Sequence, residues 1–156
     1  FLKAAAAFAA MIKSYPKSAH APRACYFQGE SFYAGKKLPE AATAYKQQTT
    51  AYPTSPLLPN GLYALGTTQQ ELALPAEAET TFKSFLANAT LAKHPLTPEV
   101  QLRLGLVQFS QKKYPDADKS FALAAAIPDF PLADLAMLRQ GQSRMELGNY
   151  DQAIRD

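Results

Sequence analysis

Tryptophan is absent from the 156 residues, glycine occurs only seven times, and there is a single cysteine, Cys25. One cysteine excludes an internal disulfide and every metal site built on several thiolates. It leaves the compartment open, because exported proteins can also lack disulfides. No apolar run approaches the ~18–20 residues that a membrane span requires. The nearest, FLKAAAAFAAMI, has 12 residues with Lys3 inside it. The same stretch lacks a starting methionine and the layout of a signal peptide. A chain opening at Phe1 therefore reads as a fragment or a processed form, with any targeting segment lying upstream. No strongly basic arm is present either. The net charge is +3, and residues 1–50 carry seven Lys or Arg against two acids.

What the chain does contain is apolar residues at 47%, charged residues at only 19%, and 12 prolines. That balance can build a core and excludes wholesale disorder. The prolines are not scattered. Four passages, KKLPEAATAY, LALPAEAETTF, KKYPDADKSF and GNYDQAI, share one pattern, in which an aliphatic residue or Tyr is followed by Pro (Asp in the last) and then by Ala two positions on, or three in the second. The alanines are Ala41, Ala78, Ala117 and Ala153, and Tyr45, Phe82 and Phe121 stand four residues after the first three. A glycine precedes each alanine by 12 residues: Gly29, Gly66, Gly105 and Gly141. The repeat periods are 37, 39 and 36 residues.

Proline keeps the same register. Pro22, Pro59 and Pro98 each lie seven residues before their glycine. A proline is tolerated in the first turn of a helix, where its missing N–H would have no partner, and is costly in the interior. Clusters at fixed phase therefore mark helix starts. Each repeat reads as two helices: helix A runs from the proline cluster to just past the glycine, and helix B from the Leu/Tyr-Pro signal to TAY, NAT or AAIP. Small residues at the Gly and Ala positions let the two helices approach closely. The aromatic one turn beyond the Ala shares its face and fills the space between repeats. One hairpin cannot bury its apolar face alone, and stacking supplies the continuous core.

A glycine in helix A, an alanine 12 later and an aromatic four after that resemble the tetratricopeptide repeat (TPR). The resemblance covers essentially the whole chain and implies an all-α fold, a right-handed α-solenoid of antiparallel helix hairpins. On this reading residues 1–15 are helix B of a preceding repeat. Residues 16–52, 53–91 and 92–127 form repeats 1 to 3, and 128–156 a truncated repeat 4. The sequence departs from the family pattern at the large residue expected four before the glycine, which is Cys25, Leu62, Gln101 and Met137. Its period also exceeds the usual 34 or so residues. The linkers YPKS (Tyr15–Ser18) and YPTS (Tyr52–Ser55) resemble those of bacterial cell-envelope TPR proteins, of the outer-membrane β-barrel assembly lipoprotein and Tol–Pal coordinator type. That implies a periplasmic or cell-envelope setting, with membrane association only indirect.

The family resemblance implies a non-enzymatic scaffold that binds a protein or peptide partner on the concave surface lined by helices A. Positions three before, one after and four after each glycine form one stripe of helix A. They are Tyr26, Glu30 and Tyr33; Tyr63, Thr67 and Gln70; Leu102, Leu106 and Phe109; Leu138, Gln142 and Met145. Arg23 and Asn60 precede the first two sets on the same face. The first half is rich in Tyr, which offers a rigid apolar body and a polar tip, and the second half is apolar. The same aromatics can equally serve as packing between repeats. With only Arg23 and Asn60 to offer, the stripe argues against a clamp for a terminal carboxylate and suits an apolar-anchored segment better. On this reading Phe109→Glu abolishes partner binding while leaving the chain helical.

Catalytic and metal chemistry find no support. His20 and His94 stand far apart without ligands at metal spacing, and Cys25 lies off the face of His20, as a small core residue would. Lys36, Lys37, Lys112 and Lys113 end helices A, where cations favour the helix dipole, and Asp116 and Asp118 open a helix B, where acids do. No cofactor is called for, and no motif or aromatic–basic interleaving points to nucleic acid. Two other roles fit the same pattern: a regulatory or targeting module of a multidomain enzyme, and a self-assembling architectural repeat.

Overall fold

The computed structural model describes residues 1–148. Among them are eight α-helices and no strand: α1 (Leu2–Ser14), α2 (Ala21–Ala34), α3 (Leu38–Ala51), α4 (Leu58–Glu71), α5 (Pro75–Ala87), α6 (Thr97–Ser110), α7 (Tyr114–Ala125) and α8 (Ala133–Glu146). Helix α1 is the expected preceding helix B, and the others alternate A and B in the order read from the sequence. The helix B expected around Ala153 lies outside the described residues. No described helix is long and apolar enough to cross a membrane.

Proline places the helix starts. Helices α2, α3, α4, α6 and α7 each carry one in the first two positions, and none of these five starts has a side-chain cap. The fixed φ of proline pre-sets the first turn, and its absent N–H removes one donor that would otherwise need a cap.

The ends of helices A are equally regular. Lys36, Ala73 and Lys112 adopt left-handed φ of 57–59°, and Gly148, at the same phase, φ 75°. At the first three ends two backbone bonds close the turn, as in Lys37 N–H to Phe32 O and Lys36 N–H to Tyr33 O, both 2.9 Å. This Schellman arrangement satisfies carbonyls that the helix end would leave open. The lysine pairs therefore lie beyond the last helical turn. Lys37 and Lys113 are N-cap residues of the next helix, so the dipole argument made for them from the sequence does not apply.

The linkers account for the long period. Each consists of two successive turns, closed by Ser18 N–H to Tyr15 O and Ala21 N–H to Ser18 O in the first. The pattern recurs at Ser55, His94 and Phe130. In the first three linkers the side chain at that point accepts from the backbone N–H two residues on: Ser18 Oγ from His20, Ser55 Oγ from Leu57 and His94 Nδ1 from Leu96, at 3.1–3.2 Å. The Tyr-Pro-x-Ser signature is thus local turn chemistry, and His94 is its third instance. After α5 a 3-10 turn at Ala89–Leu91, capped by Asn88, lengthens one linker further.

The chain divides into two compact units, Phe1–Leu74 and Pro75–Asp156, parted at the turn inside the second repeat. In the first, α1 packs on α2, α2 on α3 and α3 on α4. In the second, α5 packs on α6, α6 on α7 and α7 on α8. The signature residues form the cores. Ala41 and Tyr45 are at most 1% exposed, and Ala117 and Phe121 are fully buried. A Cβ on Gly29 would stand 2.5 Å from the Tyr45 ring, and one on Gly105 2.6 Å from that of Phe121. The glycines are there because the aromatic lies flat against the backbone of helix A. Cys25 is fully buried beside Ile12 and Ala24, and burial pushes its thiol pKa up, which leaves it inert.

Candidate functional site

In the first unit, α2 carries Arg23, Tyr26, Glu30 and Tyr33. Only Arg23 is exposed; the other three are half-buried. Tyr26 lies 5.9 Å from the ring of Tyr45. The Tyr45 hydroxyl, carried by α3 into the α2 interface, donates to Glu30 Oε1 at 2.6 Å. Burial first, and then the Glu30 charge and hydrogen bond, push the Tyr26 pKa up to about 12 and that of Tyr45 upward as well. Both hydroxyls therefore stay protonated and act as donors. Tyr33 donates to Glu71 at the end of α4. The three tyrosines pack in one cluster, and each turns its hydroxyl to a glutamate.

On α4, Asn60, Tyr63, Thr67 and Gln70 are all half-buried. Thr67 turns its hydroxyl back onto Ala64 O at 3.0 Å, as a mid-helix threonine commonly does. Near the start of α2 the Arg23 guanidinium lies over the Phe27 ring, 5.5 Å from its centre. This pair borders a cavity of about 370 Å³.

The second unit differs. Leu102 is 3% exposed and belongs to the core around Phe121, rather than to a surface stripe. Leu106 and Phe109 are half-buried against the same core, with Phe109 edge-on to Tyr114 at 5.2 Å. A charge at Phe109 would disturb the packing of α6 on α7, so Phe109→Glu cannot report on binding alone. The exposed positions lie on α8: Leu138 at 60% and Met145 at 54%. Between them Gln142 accepts from Arg139 Nη1 at 2.9 Å.

Among the described residues no three His, Cys, Asp or Glu side chains gather as metal ligands would. Asp116 lies in the first turn of α7, as expected. Asp118 lies further along and instead pairs with Arg144 of α8 at 2.8 Å. Glu79 of α5 also links to the next repeat. Its carboxylate, nearly buried, meets Lys83 at 2.6 Å, Lys113 at 2.7 Å and Gln111 at 2.8 Å. Burial alone would raise the Glu79 pKa, but the bonds from Lys113, Lys83 and Gln111 outweigh it and hold the group at about 2. Glu79 and Asp118 each follow a signature alanine directly. An acid at that phase, with a cation in the next repeat, is the signal that would have found both.

The comparisons with known proteins agree with this architecture. Tetratricopeptide repeat profiles match residues 1–56 and 63–131, and a second such profile matches 135–156. No curated protein sequence matches. Among solved structures the chain is similar to BtubC (BKLC) from P. vanneervenii, at 15% identity and a TM-score of 0.70 over 86% of this chain, which spans 59% of that protein. It is also similar to a putative kinesin light chain of Podosopora anserina with nearly identical TPR-like repeats, at 12% identity and a TM-score of 0.72 over 99% of this chain and 82% of the other. A point variant of the latter gives 11% identity and a TM-score of 0.73, with the same coverage. At such identities the likeness speaks for the fold alone, and it lends no support to the cell-envelope resemblance. With the glycine, alanine and aromatic of the first and third repeats packed as described and the repeat profiles covering most of the sequence, the chain belongs to the tetratricopeptide repeat family.

Proposed function

We propose that the chain is a non-enzymatic scaffold that binds a protein partner through the exposed faces of its helices A. Tetratricopeptide repeats generally mediate protein–protein interaction, and here the observation that carries the reading is on α8. Leu138 and Met145 stand two turns apart on one face, each more than half exposed, with Gln142 between them. Two large apolar side chains at that spacing are the footprint of an apolar-anchored segment or helix docked along the surface. The polar, tyrosine-bearing face of α2 and α4 supplies hydrogen-bonding positions of the kind that specify a partner. An envelope setting rests only on the two Tyr-Pro-x-Ser linkers, whose serines already have a local role.

The test is co-purification. A tagged chain carrying Leu138→Glu and Met145→Glu keeps its fold, since both side chains project from the surface, and its far-UV circular dichroism stays helical. Proteins recovered with the natural chain and identified by mass spectrometry should be lost from the variant. Recovery of the same proteins in equal amount would remove α8 from the binding surface.

A further inference from the structure

The cavity beside Arg23 is the feature of the first unit that its packing does not use. It opens between the start of α2 and the linker leading into α4. Pro22 and Phe27 line it from α2, and Ser55, Pro56 and Leu57 from the linker. Its volume of about 370 Å³ lies at the small end of ligand pockets, which run from roughly 300 to 1,000 Å³. That is room for one or two side chains.

The charge in this cavity is one-sided. Arg23 is exposed, with its guanidinium over the Phe27 ring, and no acid lines the space. A guanidinium presents five N–H donors in a fixed fork, and those donors match a carboxylate. The region offers little competition for them. Residues 1–50 contain two acids against seven Lys or Arg. Of these acids, Glu30 is committed to the Tyr45 hydroxyl, and Glu40 is exposed in the first turn of α3. Ser55 Oγ accepts from Leu57 N–H, which leaves its own proton to donate.

We propose that this cavity receives an acidic side chain, together with a bulky apolar neighbour, from an extended segment of the partner. The carboxylate pairs with Arg23 and the apolar group lies against Pro22, Pro56 and Leu57. A side-chain carboxylate fits better than a chain terminus, because terminal capture draws on several convergent donors and the cavity has one guanidinium. The inference rests on the reading of the helix A surfaces as partner-binding.

A random 12-residue peptide library, displayed with flanking sequence at both ends, tests it. Selection on the natural chain should enrich Asp or Glu adjacent to Phe, Leu or Trp. Selection on Arg23→Gln should lose the acid and keep the apolar residue. A synthetic peptide from the first selection, with both ends blocked, should bind Arg23→Gln roughly fivefold more weakly. Its own Glu→Gln form should lose affinity for the natural chain but not for Arg23→Gln, which assigns the pair. Acid enrichment that survives Arg23→Gln, or binders without acids, overturns the inference and leaves the wider reading intact. Binders found only in a library with free C-termini overturn it in favour of a terminal carboxylate. No binder in either library also overturns it, and the wider reading then depends on the Leu138 and Met145 co-purification.

Discussion

Tyr45 and Phe121 occupy the same phase of two repeats and differ by one hydroxyl. Opposite the first stands Glu30, which accepts from it; at the phase of Glu30 in the other repeat stands Leu106, packed against Phe121. The chain has solved one packing problem twice, once with a hydrogen bond and once without. Removing one partner of a buried bond to a charged group costs about 1.5–3 kcal/mol, whereas replacing both with apolar groups is close to neutral. Tyr45→Phe should therefore destabilise the chain by roughly that amount in urea unfolding. Because Tyr26 also bonds to Glu30, most of the loss should be recovered by Tyr45→Phe, Glu30→Leu and Tyr26→Leu together, the set that the other repeat carries as Phe121, Leu106 and Leu102. A triple variant no more stable than Tyr45→Phe alone would separate Glu30 from Tyr45. The glycines test the same contact from the other side. Gly105→Ala gains about 1 kcal/mol in helix propensity but drives a Cβ into the Phe121 ring, and overpacking of this kind costs about 1–3 kcal/mol. The net effect should be a lower midpoint of denaturation, rescued by Phe121→Leu. The aromatic and its glycine were legible in the sequence because both recur at fixed spacing. The Tyr45–Glu30 bond was not, because it occurs in one repeat only.

The elements follow from punctuation as much as from hydrophobic pattern. Proline fixed where helices begin, and it could be read directly. The ends of helices A could not be read as readily, because the residue in left-handed conformation is Lys36, Ala73 or Lys112 in three of the four cases. Glycine, the usual marker of such a cap, fills the position only at Gly148. The three substituted positions are thus mildly strained. Glycine has no Cβ to oppose positive φ, but it is also more flexible when unfolded. Ala73→Gly and Lys112→Gly should each stabilise the chain by about 0.5–1 kcal/mol, and Gly148→Ala should destabilise it by a similar amount, all measured by thermal unfolding. No change at Ala73 would mean that the turn is held by its hydrogen bonds alone. The linkers teach a related lesson. A histidine beyond the repeat pattern invites a catalytic or metal reading, yet His94 accepts a backbone hydrogen bond at the phase where two serines do the same. All three stand eleven residues before their glycine; their common role needed the side-chain geometry.

At the scale of the whole molecule, the order and extent of the described helices were legible because a short unit recurs, and each recurrence checks the last. The binding surface was less so. A stripe drawn at constant spacing assumes that every repeat turns the same side chains outward, but Leu102 is in the core while Leu138 and Met145 are exposed. Least visible were the ion pairs between successive repeats, since a charge scattered along a helix looks like solvated surface until a partner in the next repeat is found. Glu79 shows what such a tie contributes. Its unfolded pKa is near 4.5 and its folded pKa about 2. The unfolded chain therefore takes up the proton first as pH falls, and stability drops with it. The contribution is complete above about pH 5.5 and disappears as pH approaches about 2. Because Lys83 and Lys113 are about half exposed, screening reduces the tie to about 1–3 kcal/mol. Glu79→Gln should cost that much near neutral pH in urea unfolding. The gap between the two proteins should narrow steadily below about pH 5 and close near pH 2, and it should persist in high salt better than that of an exposed pair, since the carboxylate is nearly buried. A gap independent of pH would show that shape rather than charge makes Glu79 matter, and would leave the link between α5 and the turn after α6 to the neutral Gln111 bond.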